Sequence, residues 1–326
     1  MRAASASVAC ALSLVARVAL PAPPAALQPS SPPLLDTPRP GGQDDKSAHL
    51  SSFVMGFAAS VLSDVDPKDA KAATKVWADM IMRRKNQKVE SQAVVYDSLA
   101  SMEAALRASL VDFVWLPPKV FLEARDHLPI VPIVISTPLR GLFNEFVLVV
   151  RRDARVTTVR ELKNKRLTME TEHDGSIPMV WLETLLMKEA QPERPEQFFA
   201  SVKGARKPSH TILPVFFGQA DACIASRSAF ETVVELNPQV GKELETIASS
   251  APFVSAIGSL RKDFFAKYEP LVTANLELLH DDPQGRQILT LFKQGRLLRF
   301  KESYLATVEQ LLKEHEALRL KSIRRP

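Results

Sequence analysis

The sequence predicts an α/β fold of two successive units, each a mainly parallel sheet with helices on both faces. Three observations lead there. Short apolar runs of strand length alternate with longer amphipathic stretches of helix length, the order that builds parallel sheets covered by helices. The alternation breaks off and restarts near Leu139. A chain of 326 residues, 46% of them hydrophobic, is also long enough to bury two medium-sized cores.

The first unit begins near Ser51. Ser51 to Phe57 is an apolar run, and Asp66-Pro67 supplies an N-cap and a first-turn proline for a helix carrying Val76, Trp77, Met80 and Ile81 on one side. Val89 to Tyr96 has strand character, Ser98 opens a helix through Arg107, and Val111 to Leu116 is a buried strand stopped by Pro117-Pro118. Val120 to Arg125 makes a short helix and Ile130 to Ile135 another buried strand. In the second unit Glu145 to Val150 is a strand, Thr158 and Glu161 stand at capping-box spacing, and Arg166 to Met169 is the next strand. Ile177 to Ala190 carries Trp181, Leu185 and Leu186 at helical spacing. Ser209 to Phe217 is a helix, and Ala220 to Ala225 is a strand running into a helix that ends at Asn237. Ile247 to Leu260 reads as two strands separated by Ser249 to Pro252. From Lys262 to Leu320 the pattern is helical, with breaks at Asp281-Asp282-Pro283 and from Gly295 to Phe300. No internal repeat of sequence is evident.

Two segments precede the first unit. Residues 1–26 read as a signal peptide: Arg2 gives a positive start, Ala3 to Leu20 an apolar run, and the Ala-rich close a place to cut. Residues 27–50 are rich in Pro, Ser, Gly and Asp and read as a flexible tether. Export leaves Cys223 as the single cysteine, so the mature chain relies on its core and not on a disulfide. The expected compartment is the periplasm.

Composition narrows the function. Lys and Arg number 42 against 37 Asp and Glu, a net +5 with one cluster, Arg319, Lys321, Arg324 and Arg325, that reads as a solvated tail; a nucleic-acid partner is not expected. The six histidines show no metal-ligand spacing, no Gly-rich phosphate loop follows a strand, and no G-x-S-x-G elbow occurs. No catalytic residues, metal or cofactor are expected, and the chain is not read as an enzyme.

Several strings taken in order resemble one family. Leu106 to Leu116, with Asp112 before an apolar strand, is similar to the segment of phosphonate-type periplasmic binding proteins where a helix ends and a buried strand opens. Glu145 to Asp153, then Thr158 to Arg166 with its "ELKNKR" string, resemble that family's strand, charged turn and helix. Gly218-Gln-Ala-Asp221-Ala resembles its helix-to-strand step, and Ser259 to Asp263 its late strand-to-helix turn. The resemblance runs from about Phe53 to Phe300. It implies a type II periplasmic binding protein fold with two lobes joined by two crossover hinge strands. The first lobe would comprise residues 51–136 and 252–326, and the second residues 137–251. A small ligand, an oxyanion or small organic acid, would sit in the interlobe cleft, and an ABC permease would be the partner of a monomeric carrier.

The resemblance also nominates site residues. In the family a Ser/Thr-rich run ending in Gly grips phosphonate oxygens ahead of a long helix. The matching stretch here is Glu172, His173, Asp174, Gly175 and Ser176, whose carboxylates would repel such a ligand, and an ordinary capped helix start is the alternative. His210 matches a ligand-facing histidine, against the alternative of a surface residue. The carboxylates that hold an ammonium in aminophosphonate binders are replaced near Ser228 and Ala256. The enclosing aromatic pair falls near Leu99 and Asn144, with Tyr96, Phe143 and Trp115 close enough to substitute, and Ser98 beside them. Two readings follow: delivery of a ligand to a permease, or a degenerate cleft that signals to a membrane receptor.

Overall fold

A computed structural model describes residues 52–62, 67–83, 89–170, 176–191, 194–205 and 207–323. The expected signal peptide and tether lie outside them.

The chain forms two lobes, each built on one sheet. In the first lobe β1 (Ser52–Ala58), α1 (Pro67–Arg83), β2 (Glu90–Tyr96), α2 (Leu99–Arg107), β3 (Phe113–Leu116) and α3 (Pro118–Ala124) alternate as the hydrophobic pattern predicts, and β4 (Ile130–Pro138) leads out. The second lobe holds β5 (Phe146–Arg151), β6 (Arg166–Met169), α4 (Ile177–Lys188), α5 (Pro195–Phe198), β7 (Ser201–Gly204), α6 (Pro208–Phe216), β8 (Ala222–Ser226), α7 (Arg227–Leu236), α8 (Pro238–Glu243) and β9 (Leu244–Ser249). The chain returns through β10 (Ala256–Arg261) to α9 (Lys262–Glu277), α10 (Pro283–Leu291), β11 (Gln294–Arg299) and α11 (Ala306–Ile323). Strand order is β11-β4-β10-β3-β1-β2 in one sheet and β7-β6-β8-β5-β9 in the other. Between the lobes the two connecting segments are tied together, because Asn144 and Phe253 exchange backbone N–H···O bonds of 2.7 Å in both directions.

The α/β class is as expected, but the sheets are mixed and not mainly parallel. Local β-α-β steps give the parallel pairs β1–β2, β1–β3, β6–β7 and β6–β8. Strands that carry the chain out of or back into a sheet run the other way, which makes β3–β10, β10–β4, β4–β11, β5–β8 and β5–β9 antiparallel. Strand alternation divides the first lobe's core. Phe53, Met55 and Phe57 of β1 face α1, α9 and α10, whereas Val54 faces α2 and α3. On α1, Trp77 is buried while its neighbour Val76 is 42% exposed, so the two do not share the buried side as expected; adjacent helical residues point about 100° apart.

Two further departures have physical causes. The stretch from Gly295, expected as a break, lies in the edge strand β11, pairing with β4 in antiparallel register. The last helix, expected in the first lobe, packs on the second. Val308 and Leu311 of α11 join the core formed with α4, and Lys188 and Glu183 of α4 reach Glu314 and His315 at 2.9 Å. The reason is written in α4, whose sequence IPMVWLETLLMK buries residues on every side. A helix apolar all round needs cover on both faces. At its start α11 stays tied to the first lobe, where Arg125 bonds Glu302 and Glu309.

Both lobes contain the same clamp. In the first, Asp112 donates its N–H to the Val54 carbonyl and accepts the Val54 N–H on Oδ2, each at 2.9 Å. In the second, Asp221 donates to the Arg166 carbonyl at 2.9 Å and accepts the Arg166 N–H on Oδ2 at 2.7 Å. Each carboxylate also pairs with a guanidinium, Arg261 for Asp112 and Arg166 for Asp221. The lobes therefore repeat a structural device that no repeat of sequence announces.

Candidate functional site

Three helices of the second lobe begin at one edge of its sheet. Parallel pairing sets Met169 beside Ile224 and Gly204, so β6, β7 and β8 end together. The chain then turns into α4 after Ser176, α6 after Lys207 and α7 after Ser226. None of these three N-caps closes its helix with a side-chain hydrogen bond. First-turn N–H groups have no intrahelical partners and mark the positive end of the helix dipole, so this edge presents donors to an anion. The Ser176 hydroxyl is buried and has no partner among the described residues. His210 stands exposed in the first turn of α6, and Ser228 half-buried in the first turn of α7. Glu172, His173, Asp174 and Gly175 lie outside the described residues.

The first lobe has its own edge. Ala58 is in register with Tyr96 and Phe57 with Trp115, so β1, β2 and β3 also end close together. Ser98 caps α2, accepting the Ser101 N–H at 3.2 Å, and Leu99 is half-buried as the first residue of that helix. Tyr96 is buried, and desolvation pushes its hydroxyl up to about 12.

Residues 59–304 match the model of the family described as ABC transporter, phosphonate, periplasmic substrate-binding protein. The chain belongs to this family. It is thus a solute-binding protein of an ABC importer, and its relatives are substrate-binding transport proteins that work with a permease. Among curated proteins none matches the chain. Solved structures share the fold. A Xanthomonas citri protein bound to ATP superposes with a TM-score of 0.59 at 16% identity, over 82% of this chain and 98% of that one. The binding component of an ABC phosphonate transporter from Pseudomonas aeruginosa gives 0.59 at 12% identity over 83% and 89%. PhnD1 from Prochlorococcus marinus, in complex with methylphosphonate, gives 0.55 at 16% identity over 81% and 98%.

Within this phosphonate-type binding protein Trp115 is set apart from the other nominated residues, whereas Tyr96, Leu99 and Phe143 belong to one cluster of the first lobe. Trp115 and Tyr96 pair with adjacent residues of β1 and so stand on opposite faces of the sheet. Trp115 is in the core against Phe113, their rings 5.2 Å apart. Phe143 packs edge-on against Tyr304 at 5.8 Å. Asn144 is committed to the crossover, its Nδ2 donating to Ser255 at 2.9 Å. Ala256 is 3% exposed inside the first lobe.

The sequence reading missed two carboxylates of the second lobe. Glu170, directly after β6, accepts the Ser226 N–H at 3.0 Å and the Ser226 hydroxyl at 3.2 Å, placing a negative charge at the start of α7. Glu145 pairs with Arg227 at 2.7 Å, and Arg227 also donates to the Ser249 hydroxyl, which pins α7 to β5 and β9. The Arg227 hydrogen bond holds the Glu145 carboxyl below its ordinary range despite partial burial. A depressed folded-state value stabilises the fold above the unfolded-state value, near pH 4.3, and that contribution disappears as pH falls through the folded value. The Glu145→Gln variant is therefore expected to be less stable than wild type at pH 7, with the gap closing below about pH 4. Urea melts of both proteins at several pH values check this. A gap that stays constant with pH argues against it.

Proposed function

We propose that this protein is an exported, non-catalytic, monomeric carrier that binds a small oxyanion or organic acid between its lobes and passes it to a permease. Residues 1–26 would direct export and residues 27–50 would tether the lobes. The observation that carries the ligand class is the set of three uncapped helix N-termini on one sheet edge, with the Ser176 hydroxyl and His210 among them. Glu170 already serves the start of α7, so a single anionic group held by α4 and α6 suits the edge better than a dianion spread over all three. ATP and methylphosphonate, carried by the proteins solved in Xanthomonas citri and Prochlorococcus marinus, are anions too.

The test is a thermal-shift screen of phosphonates, phosphite, phosphate, sulfate, carboxylates and nucleotides. A ligand at a hundred times its Kd adds about 2.7 kcal/mol. If no anion raises the melting temperature, the reading fails. With a ligand in hand, His210→Ala is expected to weaken binding roughly ten- to a hundredfold, the loss of one charge-assisted hydrogen bond. Because His210 is exposed, the melting temperature of the free variant should stay at the wild-type value. Unchanged affinity would take His210 out of the site.

A further inference from the structure

Among the described residues the chain passes between the lobes three times, and the buried clusters mark where. Phe143 packs against the first lobe's core and Phe146 against the second's; Phe253 lies in the second core and Val254 in the first; Leu305 lies in the first and Val308 in the second. The third passage is tied to both of the others. The Tyr304 ring meets Phe143 edge-on at 5.8 Å, and the Thr307 hydroxyl donates to the Pro252 carbonyl at 2.6 Å. With the Asn144–Phe253 bridge, each passage is fastened to the other two.

This third passage differs from the first two in kind. Those run without helix, from Pro138 to Phe146 and from Ser249 to Ala256, whereas this one enters α11, unbroken from Ala306 to Ile323 and about 27 Å long. The far half of α11 is held to α4 by Lys188–Glu314 and His315–Glu183 at 2.9 Å each. Its near end meets the first lobe again: Arg125, at the end of α3, reaches Glu309 at 3.1 Å, and Leu122 of α3 packs against buried clusters of both lobes. Non-helical connections absorb a change of lobe angle in their own φ and ψ. A helix cannot, because its backbone hydrogen bonds fix every turn. Any swing of the lobes must therefore be taken up between Leu305 and Val308, and it works against the Arg125–Glu309 pair and the Leu122 contact.

We propose that α11 is a strap across the hinge, a third interlobe connection fastened to the first lobe by Leu305 and by the Arg125–Glu309 pair, which narrows the range of lobe angles the protein adopts. Only the consequence for binding rests on the reading that a ligand sits between the lobes. A narrower range keeps a larger fraction of molecules in the binding arrangement, and the apparent Kd falls in proportion.

The test reads lobe geometry directly and without ligand, so its outcome is separate from that of the anion screen. Spin labels are placed on the whole chain at Lys267→Cys of α9 and Lys242→Cys of α8, both exposed and one in each lobe; Cys10 is replaced by serine, and Cys223, fully buried, does not react. Pulsed electron resonance gives the distribution of distances between the labels. Glu309→Gln removes the interlobe pair and leaves Arg125 bonded to Glu302. In this variant, distances outside the wild-type peak should gain up to about fivefold in population, the most that an exposed pair supplies, with the melting temperature little changed. High salt should act on the wild type in the same direction and much less on the variant. Glu302→Gln, which removes only the bond inside the first lobe, should keep the wild-type distribution. Two glycines inserted between Ala306 and Thr307 slacken the passage itself and should spread the distances further than Glu309→Gln does. Equal distributions in the wild type, Glu309→Gln and the insertion variant overturn the proposal, as does an equal spread in Glu302→Gln and Glu309→Gln.

Discussion

Replacing Asp112 by alanine should lower the stability of the protein by about 3–5 kcal/mol, the usual result of stripping one partner from a buried ion pair. Asp112 is fully buried and Arg261 is 5% exposed. The carboxylate accepts the Val54 N–H and the Arg261 Nη2 at 2.9 Å each, and Arg261 in turn donates to the Val111 carbonyl and the Ser109 hydroxyl at the same distance. One side chain thereby fastens β1, β3 and β10. Alanine leaves the Arg261 guanidinium in the core with only the solvent-exposed carboxylate of Asp263 as counter-charge, and a strand N–H unanswered. Denaturant melts should show a lower midpoint with an unchanged slope. The matching change in the second lobe, Asp221→Ala, should have a much smaller and salt-sensitive effect, because its partner Arg166 is 47% exposed and water screens the pair. Comparable losses in the two lobes would refute the argument from burial.

A charge placed on the inner face of α11 should be nearly as damaging. Val308 is fully buried in the cluster that α11 shares with α4, and Val308→Asp would set a carboxylate there without a partner. A loss of roughly 4 kcal/mol is expected, at the large end for a single substitution. Hydrogen exchange locates the damage. Protection should fall first in Ile177–Lys188, not in the α9 and α10 region of the first lobe. If α9 and α10 lose protection first, α11 does not belong to the second lobe's core.

Most of the fold was legible because its strongest elements are periodic and interior. Phe113 to Leu116 and Phe146 to Val150 are apolar runs in central strands, and the capping box at Thr158 and Glu161 forms as its spacing requires. What escaped were edges. β7 and β11, with the sequences SVKG and QGRLLR, are end strands of their sheets, where polar residues and glycine are tolerated and a strand is hard to tell from a loop. The site was legible only in part for a different reason. Ser176, His210 and Ser228 follow from where helices begin, which sequence marks well. Whether Tyr96 and Trp115 can face one another depends on register, and a shift of one residue moves a side chain to the opposite face. Glu170 had one available signal, an acidic residue placed directly after a buried strand, but its role depends on Ser226 being 56 residues further along the chain.

The place of α11 in the chain sets an order on folding. All strands of the second lobe have been synthesised by Ser249, yet α4 stays uncovered until Val308 and Leu311 arrive, and the bond from His315 to Glu183 spans 132 residues. Contacts closed over so long a loop form late, because the loop's entropy is lost before the contact gives anything back. The lobe inserted in the middle of the sequence is accordingly the last to be completed. A nascent chain halted before residue 306 carries an apolar helix face open to water, and that is the species chaperones would have to shield.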